Sequence, residues 1–262
     1  MKILVIHGSM RKGNTYSLTK EMMKRLLEKP DVEFIEINVA DLDLPFCCSC
    51  HVCFGKGEEN CPHHNIMKCV QTALMDCDGV IFSGTTYMWA LNAAMKNLLD
   101  HLSYGFHRPS LFGKKGMVIV TSTGAGEKDT ANYLKTVLGQ WGINRAITVT
   151  LNEKEKQLHL KGDKYFNLVA EKFYNLIKSK KPLPPTLKSI AVHNSFRAMS
   201  LSEFGTYERD KLFWSQPGFC DKAYPVRAGL FRYAMGALVF GLVKRMSKML
   251  GKVYAKHLSG EK

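Results

Sequence analysis

Residues 1–17, MKILVIHGSMRKGNTYS, decide how the rest of this 262-residue chain is read. Residues 2–7 form a short apolar run containing Ile3, Val5 and Ile6, the composition of a strand buried on both faces. The run stops at Gly8-Ser9. A polar loop follows, and from Thr15 onward Leu18, Met22, Leu26 and Leu27 recur at helical spacing. A strand, a glycine-bearing polar loop and a helix N-terminus make an anion site: the first helical N–H groups lack partners and carry the positive end of the dipole. Ser9, Asn14, Thr15 and Ser17 add short donors, and Arg11 adds a guanidinium fork. The same letters also read as an ordinary helix capped by Asn14 or Thr15. The loop has neither the third glycine of G-x-G-x-x-G nor a G-K-[ST] ending, which argues against a dinucleotide fold and an ATPase.

The pattern repeats along the chain. Residues 32–39 (VEFIEINV) alternate as an edge strand does, 66–75 are helical, and 79–82 are a buried strand ending at Ser83-Gly84. Residues 91–102 are helical, 116–121 (GMVIVT) a strand, 122–126 a glycine loop, 129–138 a helix, 146–150 a last strand and 163–178 a long helix. Five alternating β/α units predict a doubly wound α/β fold. Its five-stranded parallel sheet runs in the order 2-1-3-4-5, with ligand loops at the strands' carboxyl ends. Residues 85–90 and 122–126 fall on those ends. Tyr87 and Trp89 there offer stacking surface and Ser122, Thr123 and Gly124 close backbone approach, against the competing account of core packing for the aromatics.

Gly8, Ser9, Arg11, Gly13, Asn14 and Thr15 match the G-S-x-R-x-x-N-T loop of the flavodoxin-like NAD(P)H-dependent FMN reductases, which this chain resembles. Residues 76–87 (DCDGVIFSGTTY) resemble the family's D-G-[VI]-[IV]-x-G-[ST]-P-x-Y segment, with threonine where proline is usual. Residues 96–101 (KNLLDH) resemble its K-x-x-x-D-R, with His101 for the arginine, and residues 111–126 its L-x-G-K-K strand and glycine loop. The resemblance covers about residues 1–178. It implies FMN as cofactor, its phosphate held by Ser9, Arg11, Asn14, Thr15 and Ser17. The ring would lie against Thr86, Tyr87, Met88, Trp89 and Ala90 on one side and Ser122, Thr123 and Gly124 on the other. It also implies NAD(P)H as hydride donor, a quinone, flavin or other small molecule as acceptor, and a homodimer. No acid–base residue is assigned, because the flavin does the bond-making.

Cys47, Cys50, Cys53 and Cys61 are spaced C-x2-C-x2-C-x7-C on a loop spanning residues 41–62. This spacing can wrap a [4Fe–4S] cubane and resembles the compact cluster motif of the iron–sulfur flavoproteins. A zinc site and a cluster-free structural loop compete with it. Cys48 is a spare thiol, and His63-His64 replace the family's acidic pair. Cys69, Cys77 and Cys220 read as packing residues. With cysteines of this kind and no leader or long apolar stretch, the chain is expected to be cytoplasmic.

The formal net charge of +14 is uneven. Residues 1–150 carry 16 Lys+Arg against 14 Asp+Glu, and residues 151–262 carry 21 against 9. A proline cluster at 182–185 marks a hinge between a flavodoxin-like FMN-binding domain, 1–181, and a basic, mainly helical extension, 182–262. Within the extension, 198–207 and 233–250 are expected to be helical. From Lys222 to His257 there are eight Lys/Arg and no acid, which suits either peripheral contact with an anionic membrane or docking on the core or a partner subunit. A non-enzymatic flavin-binding module anchored by this tail is therefore a further reading. Nucleic acid is not expected, since aromatics are not interleaved with the charges. Residues 210–214 resemble a D-x-x-[YF]-W stretch in clostridial-type relatives of the FMN reductases.

Overall fold

The computed structural model describes residues 1–157, 161–202, 207–220 and 224–258. β1 (Lys2–His7) leads through residues 8–13 into α1 (Asn14–Leu27), and β2 (Glu33–Asn38) follows. The cysteine-rich segment holds only short turns, among them α2 (Val52–Gly55), before α3 (His64–Asp76). Next come β3 (Gly79–Tyr87), β4 (Ala90–Leu91), α4 (Ala93–His101), α5 (Tyr104–His107), β5 (Lys115–Ser122), α6 (Glu127–Gln140) and β6 (Ala146–Asn152). α7 (Glu153–Gln157) and α8 (Asp163–Lys178) complete the β/α part; α9 (Leu187–Ser200), α10 (Glu208–Trp214) and α11 (Leu230–Leu258) make the extension.

The parallel strands run in the order β2-β1-β3-β5-β6. This is the expected 2-1-3-4-5 order once the two-residue β4 is set aside. β4 corrects the expectation of a wholly parallel sheet: it pairs antiparallel with β3, with Thr86 opposite Leu91 and Tyr87 opposite Ala90. Thr86 and Tyr87 are thus strand residues rather than loop.

The alternation along each strand builds two cores. Leu4, Ile6, Val80, Phe82, Val118 and Val120 face α3, α4 and α6 on one side. Ile3, Val5, Ile81, Met117, Ile119 and Val149 face α1 and α8 on the other. All twelve side chains are fully buried, and both faces being covered is what holds a parallel sheet together. The register sets His7 beside Ser83, Thr85 beside Thr121 and Ser122 beside Asn152, so the carboxyl ends finish at one level.

The extension departs from the expected pattern. Its first helix runs from 187 to 200 rather than 198 to 207, opened by Thr186, whose hydroxyl accepts the Ser189 N–H. The chain resumes as α10 at Glu208; residues 203–206 of the expected helix lie outside the described residues. The expected helix over 233–250 lies within the longer α11. No helix among the described residues is long and apolar enough to cross a membrane. Cys77 is buried as expected, whereas Cys69 is exposed and does not serve as packing.

Candidate functional site

Three loops meet at the carboxyl edge. At the first, Gly8 donates its N–H to Ser83 O (2.8 Å), and Asn92 Nδ2 donates to Gly8 O (2.8 Å). A Cβ on Gly8 would sit 2.7 Å from Ser83 O and 2.9 Å from Met95, so only glycine lets the backbone turn here. α1 then begins with Gly13 as its cap, not Asn14 or Thr15. No side chain caps the helix and no acid stands in its first turn. Its first N–H groups are left for an anion, with Ser9, Arg11 and Ser17 around them.

Two of the expected phosphate donors are committed elsewhere. The buried Thr15 hydroxyl bonds Thr121 Oγ1 (2.7 Å), which pins the start of α1 to β5 and leaves Thr15 its backbone N–H. Asn14 Nδ2 donates to Glu153 Oε2 (3.2 Å) and Asn14 Oδ1 accepts from Lys156 Nζ (3.1 Å). His7, buried just before the loop, bonds Glu36 through Nε2 at 2.9 Å. Burial pushes its pKa below the usual imidazole value, with Glu36 pulling the other way.

The second loop is the β3–β4 hairpin. Its two turn residues, Met88 and Trp89, have φ of 47° and 63°, the left-handed pair that a two-residue turn of this kind requires and that Asn-Gly usually supplies. Holding a methionine and a tryptophan there costs about 1 kcal/mol each. Both are exposed, Met88 by 95% and Trp89 by 66%, which removes core packing as the account of Trp89. Tyr87 and Ala90, the closing pair of the hairpin, are exposed as well. The turn spends backbone strain to present surface.

The third loop holds Ser122, Thr123 and Gly124. Gly126 has φ 91°, and a Cβ there would meet Trp89 Cα and Thr86 Cγ2 at 3.1 Å, so glycine permits this loop to close on the hairpin. Thr86 Oγ1 donates to Thr130 Oγ1 of α6 (3.2 Å). The Ser122 hydroxyl is committed to Glu127 Oε2 (2.7 Å), while Thr123 and Gly124 are exposed. The arrangement is an uncapped helix end, a strained aromatic flap and an open glycine loop around one crevice. It fits a flat ring bearing a phosphate tail.

The cysteine segment makes a second site. Cys47, Cys50, Cys53 and Cys61 line one pocket of about 380 Å³, together with His51, Phe54, Lys96, Asp100 and His101; Cys48 does not line it. Among the described residues no three His, Cys, Asp or Glu side chains are gathered for a single metal ion. Burial pushes the Cys53 thiol up to about 11, with Arg108 pulling the other way, and also raises Cys61. His101, where the family has arginine, is buried and bonds His63 Nδ1 (2.9 Å).

Residues that local sequence patterns did not single out hold this loop. Arg108, 5% exposed, donates to Cys53 O (2.8 Å) and Glu58 Oε2 (2.7 Å) and pairs with Asp210 of α10, itself 2% exposed. Asp210 also bonds His107 Nδ1 (2.6 Å). His107 stacks on Phe54 at 4.2 Å, its carbonyl accepts from Trp214 Nε1 (2.9 Å), and Tyr207 Oη bonds His51 Nδ1 (2.6 Å). Residues 207–214, which include the D-x-x-[YF]-W stretch, thus grip the cysteine loop.

Comparison with known proteins agrees with this geometry. The family model described as NADPH-dependent FMN reductase matches residues 1–153. An iron–sulfur flavoprotein of Archaeoglobus fulgidus is 34% identical over 146 residues, 55% of this chain and 64% of that relative. The match therefore spans just under two thirds of the relative's length. Two solved structures share the fold at low identity. An azoreductase of Bacillus anthracis superposes with a TM-score of 0.51 at 15% identity, covering 69% of this chain and 98% of that one. RosB, solved with the bound intermediate 8-demethyl-8-formylriboflavin-5′-phosphate, gives 0.52 at 12% identity, covering 68% and 79%.

Proposed function

This chain belongs to the NADPH-dependent FMN reductase family, and from that premise we propose that it is an FMN-dependent oxidoreductase. It would draw electrons from NAD(P)H and pass them to a quinone, a flavin or another small acceptor. The observation carrying this reading is the uncapped N-terminus of α1, set at the same sheet edge as the exposed Met88-Trp89 flap. FMN, when bound, would supply the hydride-accepting chemistry. The protein's own residues position and shield. Arg11, Ser9, Ser17 and the free N–H groups of α1, those of Asn14 and Thr15 included, would hold the phosphate. Thr86, Tyr87, Met88, Trp89 and Ala90 would cover one side of the ring, and Ser122, Thr123 and Gly124 would line the other. No side chain is assigned proton transfer. An absorption spectrum taken without oxygen, before and after NADPH, tests this. A two-banded flavin spectrum that bleaches rapidly supports the reading; a colourless protein that FMN cannot reconstitute overturns it.

The four thiols lining one pocket favour a second reading, an electron-transfer protein that also holds a [4Fe–4S] cluster. A cubane keeps its thiolates farther apart than a single ion does, so a ring of four around a cavity suits it better than zinc. Cys50→Ser should then abolish iron and sulfide while FMN stays; iron-free wild type from anaerobic purification would exclude the cluster.

The division at 181/182 gives the extension its own task. Along α11, Phe231, Leu238, Leu242, Met246 and Met249 are all more than half exposed and recur at helical spacing. This supports burial against a second copy in a homodimer. Lys244, Arg245 and Lys248 beside that line support the alternative, an anionic bilayer. A dimer lost on truncation before Leu230 favours the first; sedimentation of the intact monomer with anionic vesicles favours the second.

A further inference from the structure

At the amino-terminal end of the sheet, opposite the crevice, a pocket of about 590 Å³ opens between α6 and the start of α9. Lys135, Arg145 and Lys188 line it, and no Asp or Glu does. No described carboxylate pairs with Arg145 or Lys188. Three exposed cations with no acid among them give the pocket a positive potential that favours an anion.

Two further features specify what would complete it. α9, 14 residues long, begins here with no acid in its first turn. Its cap Thr186 satisfies the Ser189 N–H (3.0 Å), which leaves the N–H groups of Leu187 and Lys188 without helical partners. Gln140, only 7% exposed, lines the pocket, and its side-chain amide has no hydrogen-bond partner among the described residues. Its amide is open to the pocket's solvent, so a ligand oxygen could take the place of water on it. Asn144, beside it, is already satisfied: it donates to Leu183 O (2.9 Å) and accepts from Tyr224 Oη (2.7 Å).

The geometry points to an anion-binding site of the phosphate class in this pocket, separate from the site at α1. Three cations, a helix N-terminus and an unpaired amide donor match a tetrahedral dianion. No aromatic ring lines the pocket, so the ligand is inorganic phosphate or a hydrophilic phosphate monoester rather than a nucleotide. The pocket joins α6 of the core to α9 of the extension, so the anion would tie the two together, and binding would stabilise the docked extension by linkage.

The test is calorimetric titration of inorganic phosphate into the full-length protein at constant ionic strength. Saturating FMN keeps the α1 site filled, and Arg11→Ala repeats the titration with that site silenced. Saturable binding in both is expected, weakened roughly tenfold or more by Arg145→Glu and by Lys188→Glu. Both positions are exposed, so folding is not at stake, and Lys24→Glu on exposed α1 surface should change nothing. Glucose 6-phosphate binding more tightly than phosphate assigns a monoester; equal affinity assigns the free ion. Absence of saturable heat, equal weakening by Lys24→Glu, or loss of all binding in Arg11→Ala would each overturn the site.

Discussion

Replacing Asp210 by Ala should release the cysteine loop from a distance of more than a hundred residues along the chain. Asp210 and Arg108 are both buried, and Asp210 serves Arg108 and His107 together. Removing one partner of a buried ion pair costs about 3–5 kcal/mol, because the other charge is left uncompensated. Here the guanidinium keeps Glu58 and the Cys53 carbonyl, so the lower end applies, about 3 kcal/mol. Asp210→Asn, which preserves the shape and one acceptor, should cost less. The loss is local, since Asp210 is a member of neither core and its bonds among the described residues go to Arg108 and His107. Hydrogen exchange is therefore the assay: amides of α2 should exchange roughly two orders of magnitude faster in Asp210→Ala, while those of β1, β3 and β5 keep their protection. Unchanged exchange in α2, or equal loss throughout the sheet, would refute the view of α10 as a clamp.

Other consequences are sharper in sign than in size. Gly8→Ala should abolish FMN binding, since a Cβ would collide with Ser83 O; Arg11→Ala should weaken it about tenfold in a dialysis assay. Met88→Asn with Trp89→Gly should relieve the positive-φ turn and raise the melting temperature while weakening FMN, separating flap strain from ring contact. His193 is 4% exposed with neither ring nitrogen bonded, and burial pushes it down to about 3. Because the unfolded chain takes up a proton near pH 6.5, its contribution is intact above that pH. It is lost toward pH 3 at about 1.4 kcal/mol per unit. His193→Phe, ringed by Phe112, Trp214 and Tyr224, should flatten that part of a pH–stability profile.

The β/α frame was legible because buried parallel strands are written as apolar runs, and 3–6, 80–82 and 117–120 are such runs. The three loops of the crevice followed from that frame. The hairpin did not: Met88-Trp89 carries none of the Asn-Gly chemistry that marks a two-residue turn. α9 was misplaced for a related reason. Its buried face includes Ser189, His193, Asn194 and Arg197, so the apolar periodicity that announces a helix is broken by its own interior. The clamp was invisible because Arg108 and Asp210 are separated by 102 residues, and no local pattern records a partner so far away.

That separation also fixes an order of events during synthesis. His51 and Tyr207 lie 156 residues apart, and chains elongate at roughly 5–20 residues per second. The cysteine loop therefore waits on the order of ten to thirty seconds before the segment that holds it exists. Through the first part of that interval the sheet still lacks β6, and the thiols lie on a loop that Asn97 and Arg108 can hold but α10 does not yet close. The segment that closes the cysteine loop is thus made long after the loop itself and just ahead of α11.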